Sequence, residues 1–227
     1  MLRSSTNGRQ SLRAFAPLFI LAIAVVFWRL AGGSDTARLR RPVQPEIVRA
    51  VEMGDQNRTA ELLAAGVNPN AARLVYHYPP GTGNERNRFA PTPVLQIAVR
   101  NRNLAVARLL LERGADPNAR GPYDYTALHL AAANNDVEMT RLLLNFETDP
   151  NAREAIRGET PLHRVVWGRR DPDQSQKRVE VAQLLLKAGA DPRVQDRSGV
   201  TPTEAARRRG ETTLLAVYAA QSPSAVH

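Results

Sequence analysis

The sequence predicts an all-α protein made of about five stacked helix-turn-helix units, with short β-turn fingers between the units and an apolar helix before them. Two observations predict this class. Similar segments recur at spacings of 33, 34 and 41 residues, and each carries two short stretches that read as helices. A period of this length is typical of solenoids, in which neighbouring units share a core that one unit is too small to close.

The repeated units occupy residues 45–221. The segment TALHLAAANNDVEMTRLLL, residues 126–144, shows their common plan: an alanine-rich first helix and a leucine-rich second helix. Apolar residues at helical spacing give the second helix one face to bury against its neighbours. The predicted units lie at 45–72, 93–120, 126–154, 160–196 and 201–221, and a tail follows at 222–227.

Three motifs recur within the units: Thr-Pro-Leu-His at the start, a Leu-Leu-Leu run in the second helix, and Gly-Ala-Asp-x-Asn in the turn after it. With these motifs in register, the units resemble ankyrin repeats. The resemblance implies hydrogen bonds between the Thr and the His that fix the turn before the first helix, here Thr126 with His129 and Thr160 with His163. Threonine is also a favourable N-cap residue, so both pairs are interpreted as structural rather than catalytic.

In the ankyrin family, partners usually dock on a concave side formed by the fingers and the first helices. Tyrosine, tryptophan and arginine dominate the energetics of protein interfaces, and all three occur at the matching positions. Trp167 replaces a normally small residue and would either face a partner or pack on the ring of Tyr123 or Tyr125. The predicted protein-binding residues are Phe89, Arg100, Asn101, Tyr123, Tyr125, Asn134, Arg157, Glu159, Trp167, Arg208 and Arg209.

Two substitutions depart from the repeat pattern. Gln96 stands where the motif has His, in the unit at 93–120. Glu147 stands where glycine closes the second helix of other units, a position that favours a left-handed residue. The Glu147 substitution is expected to cost about 1 kcal/mol.

Two insertions interrupt the period. Residues 74–90 enlarge the first inter-repeat loop, and their tyrosines, prolines and glycines fit either an extended hairpin finger or a loose surface insertion. Residues 168–178, GRRDPDQSQKR, separate the helices of a later unit and are predicted to form a solvated loop.

An apolar run at residues 14–31 lies between a basic leader at 1–13 and a linker at 32–44. Its length falls between that of a signal peptide and that of a membrane anchor. We favour an uncut single-pass anchor with the repeat domain outside the cytoplasm. The alternatives are a secreted or periplasmic protein cleaved near Gly33, and a buried helix of the folded domain.

The basic charge is concentrated near this apolar run. Residues 1–41 carry +6 of the total net charge of +9, and the remaining chain has 24 basic and 21 acidic groups with the signs interspersed. This distribution is typical of a solvated surface rather than a groove for a polyanion. Nucleic-acid binding through Arg197 and the run Arg207, Arg208 and Arg209 remains an alternative.

The chemistry-bearing residues are few. The chain has no cysteine, which excludes thiol catalysis and cysteine-ligated zinc, and neither His77 nor His227 has a metal-ligand partner at helical spacing. The sequence predicts a protein-interaction module, not an enzyme, that binds an unidentified protein and needs no metal, cofactor or small-molecule substrate. A hydrolase is the enzymatic alternative. The leader and the ratio of 29 Arg to 2 Lys resemble exported bacterial ankyrin proteins.

Overall fold

The computed structural model describes residues 45–76, 89–168 and 175–220. Within these ranges the chain forms ten α-helices in five helix-turn-helix pairs, one pair in each predicted unit. The pairs are α1 (Pro45–Met53) with α2 (Gln56–Ala64), α3 (Val94–Arg100) with α4 (Leu104–Glu112), α5 (Ala127–Ala133) with α6 (Val137–Leu144), α7 (Pro161–Trp167) with α8 (Ser175–Lys187), and α9 (Pro202–Arg208) with α10 (Thr212–Ala219).

The helices form two layers. Each first helix packs on the first helices of the adjacent units, and the second helices pack on one another in a second layer. Ala131 and Ala132 of α5 are fully buried, which agrees with close approach between neighbouring first helices. Leu128 and Leu143 are also fully buried, and burying a leucine contributes about 1.5 to 3 kcal/mol. The shared core that the repeat period predicts is therefore present.

A ladder of asparagines joins the turns between units. Asn118 Nδ2 donates to the Glu147 carbonyl at 3.1 Å, and Asn118 Oδ1 accepts from the Asp149 amide at 2.8 Å. Asn70 and Asn151 make the same pair of bonds to the units that follow them. Each bond satisfies backbone groups at a helix end that would otherwise lack a partner.

Glu147 adopts the left-handed backbone that its position requires, with φ at 56°. The glycines at the equivalent positions, Gly66, Gly114 and Gly189, have φ values of 84°, 84° and 93°. The turn is thus the same in all four units, although a side chain in this region is disfavoured.

The predicted class needs one addition, because the chain also forms a small antiparallel sheet. Strand β1 (Ala72–Tyr76) pairs with β2 (Phe89–Pro93), with Ala72 opposite Pro93 and Tyr76 opposite Phe89. The insertion at 74–90 therefore begins and ends within paired strands, as the hairpin interpretation requires at its base. Residues 77–88, which include the predicted tip, lie outside the described residues.

The predicted loop at 168–178 is wrong at its C-terminal end. Helix α8 begins at Ser175, and Arg178 is only 4% exposed. Its guanidinium lies 2.7 Å from the Glu211 carboxylate of the last unit. The sequence pattern does not indicate the burial of Arg178, because its partner Glu211 is 33 residues away in the sequence. Residues 169–174 lie outside the described residues.

The predicted apolar helix at residues 14–31 also lies outside the described residues, as do the basic leader and the linker. By contacts, the chain divides into one unit at residues 1–42 and a second at residues 43–227. Among the described helices, none has the length and apolar character needed to cross a bilayer.

Candidate functional site

The two Thr-His pairs form hydrogen bonds that hold the fingers to the first helices. The Thr126 amide donates to His129 Nδ1 at 3.2 Å, and the Thr126 hydroxyl lies 2.9 Å from the same nitrogen. His129 Nε2 faces the Glu159 carbonyl at 3.1 Å, so Nε2 carries the proton and Nδ1 accepts. Thr160 and His163 repeat this arrangement one unit later.

Burial keeps both imidazoles neutral. Desolvation lowers the pKa of His129 from 6.5 to about 4, and it lowers the pKa of His163 as well. His163 Nε2 reaches the Val200 carbonyl at 3.0 Å. Both ring nitrogens of each histidine are engaged with backbone or threonine groups, so these side chains serve as braces between units.

Gln96 makes the bond between units that histidine makes elsewhere. Its Nε2 donates to the Tyr125 carbonyl at 2.7 Å and to the Ala119 carbonyl at 3.0 Å. Tyr125, Glu159 and Val200 are the residues that directly precede the motif threonines. The departure at Gln96 therefore preserves a donor to the same carbonyl position.

Tyr125 is held between an imidazole and a guanidinium. Its ring meets the His129 ring edge to face, with the ring centroids 5.5 Å apart. Arg164, on α7 of the next unit, places its Cζ 5.3 Å from the Tyr125 ring centroid. Burial raises the pKa of Tyr125. A half-buried ring with these neighbours is fixed in position before any partner arrives.

Glu159 does not lie on an accessible face as predicted, because it is only 1% exposed. Its carboxylate pairs with Arg164 Nη1 at 3.1 Å and with Arg157 Nη1 at 3.7 Å. Its amide donates to Glu154 Oε1 at 3.1 Å. The residue supports Arg164 instead of contacting a partner, since a buried carboxylate requires charged or hydrogen-bonding neighbours.

Trp167 packs against the core, and its ring is covered by an arginine and not by Tyr123 or Tyr125, the alternative to a partner contact. Arg209 Cζ lies 5.3 Å from the indole centroid, and Arg209 Nη1 donates to the Val166 carbonyl at 2.6 Å. This repeats the arrangement at Tyr125: an aromatic ring of one unit lies under an arginine of the following unit. Sequence reasoning missed Arg164, whose signal was its place directly after the motif His163.

A family model of ankyrin repeats matches residues 95–196 as three copies. Residues 95–196 are therefore ankyrin repeats. The matched residues include both histidine braces, Tyr125, Arg164 and Trp167. Ankyrin repeats are generally protein-interaction modules, and domains built from them are typically not enzymes. No curated protein matches the chain.

Two predicted contact residues bind adjacent units of the repeat domain. Asn101 Nδ2 donates to the Glu52 carbonyl at 3.1 Å. The Asn134 carbonyl accepts from Arg102 Nη2 at 2.9 Å. These polar groups therefore join neighbouring repeats at the ends of α3 and α5.

Three other predicted contact residues, Arg100, Arg208 and Tyr123, are wholly or partly accessible to solvent. Arg100 is exposed at the end of α3, and the Arg208 side chain is 58% exposed while it pairs with Glu204 at 3.0 Å. Tyr123 is half-buried in a finger, where its φ is 59° and its carbonyl accepts from the Ala155 amide at 2.8 Å. Phe89 belongs to β2, and its side chain lies outside the described part of the chain.

Proposed function

We propose that this ankyrin repeat protein is a non-enzymatic adaptor that binds one partner protein on its inner face. The inner face is defined as the fingers and first helices of the four units from 93 to 221. The observation that carries this proposal is the repeated pairing of an aromatic ring with an arginine of the next unit, Tyr125 with Arg164 and Trp167 with Arg209.

Such pairs suit protein recognition for two reasons. Tyrosine, tryptophan and arginine are enriched among the interface residues that contribute most to affinity. A side chain already held in place loses less conformational entropy when a partner binds, which favours affinity. Arg164 is held by Glu159 and Arg209 by the Val166 carbonyl, so both cations have a defined position in the free protein.

The non-enzymatic part of the proposal is supported by the state of the histidines. His129 and His163 are fully buried, and each reaches a backbone carbonyl of the following unit. A general base requires access to the substrate proton, which these two side chains lack.

We also propose that residues 14–31 tether the chain to a membrane or direct its export, with the repeats outside the cytoplasm. The length and apolar character of the run support this location. If the domain faces a periplasm, a protease added to intact cells should degrade it only after the outer membrane has been permeabilised. Degradation that requires lysis of the inner membrane would place the repeats in the cytoplasm instead.

Capture by the full chain tests the adaptor proposal. The inner-face variant carries Tyr123→Ala and Trp167→Ala. The control variant carries Arg108→Ala, Glu138→Ala and Gln183→Ala, three exposed positions on the second helices α4, α6 and α8. Thermal unfolding of each variant shows whether it remains folded, because Trp167 contacts the core.

We expect cross-linking mass spectrometry to identify one partner that the wild type and the control retain and the folded inner-face variant loses. Equal capture by both variants would assign binding to another surface. Turnover of a general hydrolase substrate that vanishes with His77→Ala would replace the adaptor proposal with an enzymatic function.

A further inference from the structure

Four arginines and one exposed apolar residue lie on neighbouring fingers that are joined by hydrogen bonds. Arg120, Arg153, Arg157 and Arg197 come from three successive inter-repeat segments, and Ile156 lies among them with 47% of its surface exposed. We call these five residues the basic finger patch. A large apolar side chain in contact with water is unusual on this domain, where Met53 is the other described example.

Hydrogen bonds to backbone carbonyls hold the patch together. Arg120 Nη1 donates to the Arg153 carbonyl at 3.0 Å, and Arg197 Nη1 donates to the Ile156 carbonyl at 3.1 Å. The Arg197 amide donates to the Arg157 carbonyl at 2.7 Å. A carbonyl positions a guanidinium without neutralising it, so the positive charge of Arg120 and Arg197 is retained.

Gly158 provides the surface on which two of these side chains lie. A β-carbon at this position would lie 2.8 Å from Arg153 Nη2 and 3.2 Å from Arg197 Cγ. The φ of Gly158 is also +68°, a backbone conformation that disfavours other residues. The absent side chain therefore lets the Arg153 guanidinium approach the finger backbone directly.

Nearby carboxylates are engaged by their own loops. Glu154 accepts from the amides of Ile156, Arg157 and Glu159, and it is 2% exposed. Asp196 accepts from the amides of Ser198 and Val200.

Arg157 shares the buried Glu159 with Arg164, at the longer distance of 3.7 Å. Among the described residues, no ion pair joins Arg120, Arg153 or Arg197 to a carboxylate, and exposed Asp124 lies on the same finger as Arg120 without such a pair. The patch therefore exposes positively charged side chains around an apolar centre, while the nearby carboxylates of Glu154 and Glu159 are buried.

We propose that the basic finger patch binds an acidic protein segment that carries an apolar residue between its carboxylates. The carboxylates would pair with the guanidinium groups, which match them in geometry, and the apolar residue would cover Ile156. The patch belongs to the finger part of the inner face and adjoins Tyr123, whose carbonyl accepts from the Ala155 amide. The inference rests on the proposed function and specifies the chemistry of the partner.

A protein segment fits the patch better than a nucleic acid does. An apolar centre with a charged rim is the usual arrangement of a protein interface. Affinity for nucleic acid depends on how many phosphates are neutralised, and the four guanidinium groups of the patch limit that number. Ile156 would add nothing to binding that depended on phosphate charge alone.

Fluorescence anisotropy of the full chain with a labelled heptapeptide, Glu-Asp-Glu-Leu-Asp-Glu-Asp, tests the inference. A neutral peptide, Gln-Asn-Gln-Leu-Asn-Gln-Asn, controls for the charge. The test variants are Arg153→Glu with Arg197→Glu, and Ile156→Ser. Matched controls are Arg108→Glu with Arg113→Glu on and after α4, and Met53→Ser on α1, all at exposed positions.

We expect the wild type to bind the acidic peptide in preference to the neutral one. Charge reversal at both arginines should weaken binding by about 10-fold or more, and Ile156→Ser by about 5-fold. The matched controls should bind like the wild type, and Arg153→Lys with Arg197→Lys should lose less affinity than the charge reversal, because the charges remain although the forked geometry is lost. Circular dichroism shows that each variant is folded.

Three results would overturn the inference: equal binding of the two peptides, no loss on charge reversal, or tighter binding of an oligothymidylate or of phosphatidylserine vesicles that Ile156→Ser leaves unchanged. The adaptor proposal is judged separately by capture. A partner that survives the charge reversal but is lost by Tyr123→Ala with Trp167→Ala would support the adaptor and refute the patch. Failure of the wild type to capture any partner would refute the adaptor, while the peptide titration still decides the patch.

Discussion

At the residue scale, three side chains make the same bond between successive units. Each donates to the carbonyl of the residue just before the motif threonine of the next unit. The bonds are His129 to Glu159 at 3.1 Å, His163 to Val200 at 3.0 Å and Gln96 to Tyr125 at 2.7 Å. What the fold requires at this position is a donor of suitable reach. The imidazoles differ from the amide in one property, since an imidazole can take up a second proton.

The histidine braces predict that the protein loses stability in mild acid. The pKa of His129 is about 4 in the folded protein and 6.5 in a model peptide, so the unfolded chain binds a proton more readily between these values. The contribution of His129 to the free energy of unfolding should be fully present above pH 6.5 and should decrease toward pH 4. The decrease should be at most about 1.4 kcal/mol per pH unit and about 3 kcal/mol in all. His163 adds to the loss with the same sign, because its pKa is also lowered. Urea unfolding between pH 7 and pH 4.5 measures the slope.

The double variant His129→Gln with His163→Gln controls this prediction, because it copies the side chain that the protein uses at position 96. It should keep the donor to the carbonyl and show a shallower slope over the same pH range. Asp191 and Glu204 also have lowered pKa values, but their protonation reduces stability at lower pH, below about 4.5. An unchanged slope in the double variant would mean that other groups cause the acid sensitivity.

At the element scale, two ion pairs connect second helices in different environments. Arg178 of α8 pairs with Glu211 before α10 at 2.7 Å, with side chains 5% and 12% exposed. Arg141 of α6 pairs with Glu180 of α8 at 3.2 Å, with side chains 49% and 47% exposed. Water screens the second pair but has little access to the first, so their contributions to stability should differ.

Removing one charge from each pair tests this difference. Glu211→Gln removes the carboxylate charge that faces the buried Arg178 guanidinium and should lower the free energy of unfolding by about 3 kcal/mol. Glu180→Gln should lower it by less than about 1 kcal/mol. Urea unfolding of the two variants at pH 7 compares them directly. Equal losses would mean that the buried pair contributes no more to stability than the exposed pair.

At the scale of the repeat domain, the core is a continuous row shared between adjacent units. It extends from Ile47 in α1 to Tyr218 in α10, and the helices make their main contacts within their own unit or with the next one. In such an array, stability is approximately a sum of unit and nearest-neighbour contributions. Damage at one end is therefore expected to remain near that end.

Leu214→Ala tests this expectation in the last unit. Leu214 is fully buried, and the cavity should lower local stability by about 2 to 5 kcal/mol. Hydrogen exchange should become faster in α9, α10 and the adjoining α8, while α3 and α4 keep their protection. A uniform increase across all units would show that the domain unfolds as one cooperative body.

Several features of the site were predictable from the sequence because they depend on local spacing. The Thr-His motif can be recognised from its local spacing, and its resemblance to the ankyrin pattern implies the bonds seen between Thr126 and His129. The burial of Glu159 was not predictable, because it depends on Arg164, which α7 directs toward it. The basic finger patch likewise combines residues as far apart in sequence as Arg120 and Arg197.

By itself, the sequence determined the repeat period, the helix pairs and the resemblance to ankyrin repeats, because the same local pattern of residues recurs in every stacked unit. Tertiary structure decided which charged and aromatic side chains are buried and which remain accessible. The stacking of units places Arg164 over Tyr125, Arg209 over Trp167 and Glu211 beside Arg178. These contacts join residues of different units, and their exposure depends on distances that no single period encodes.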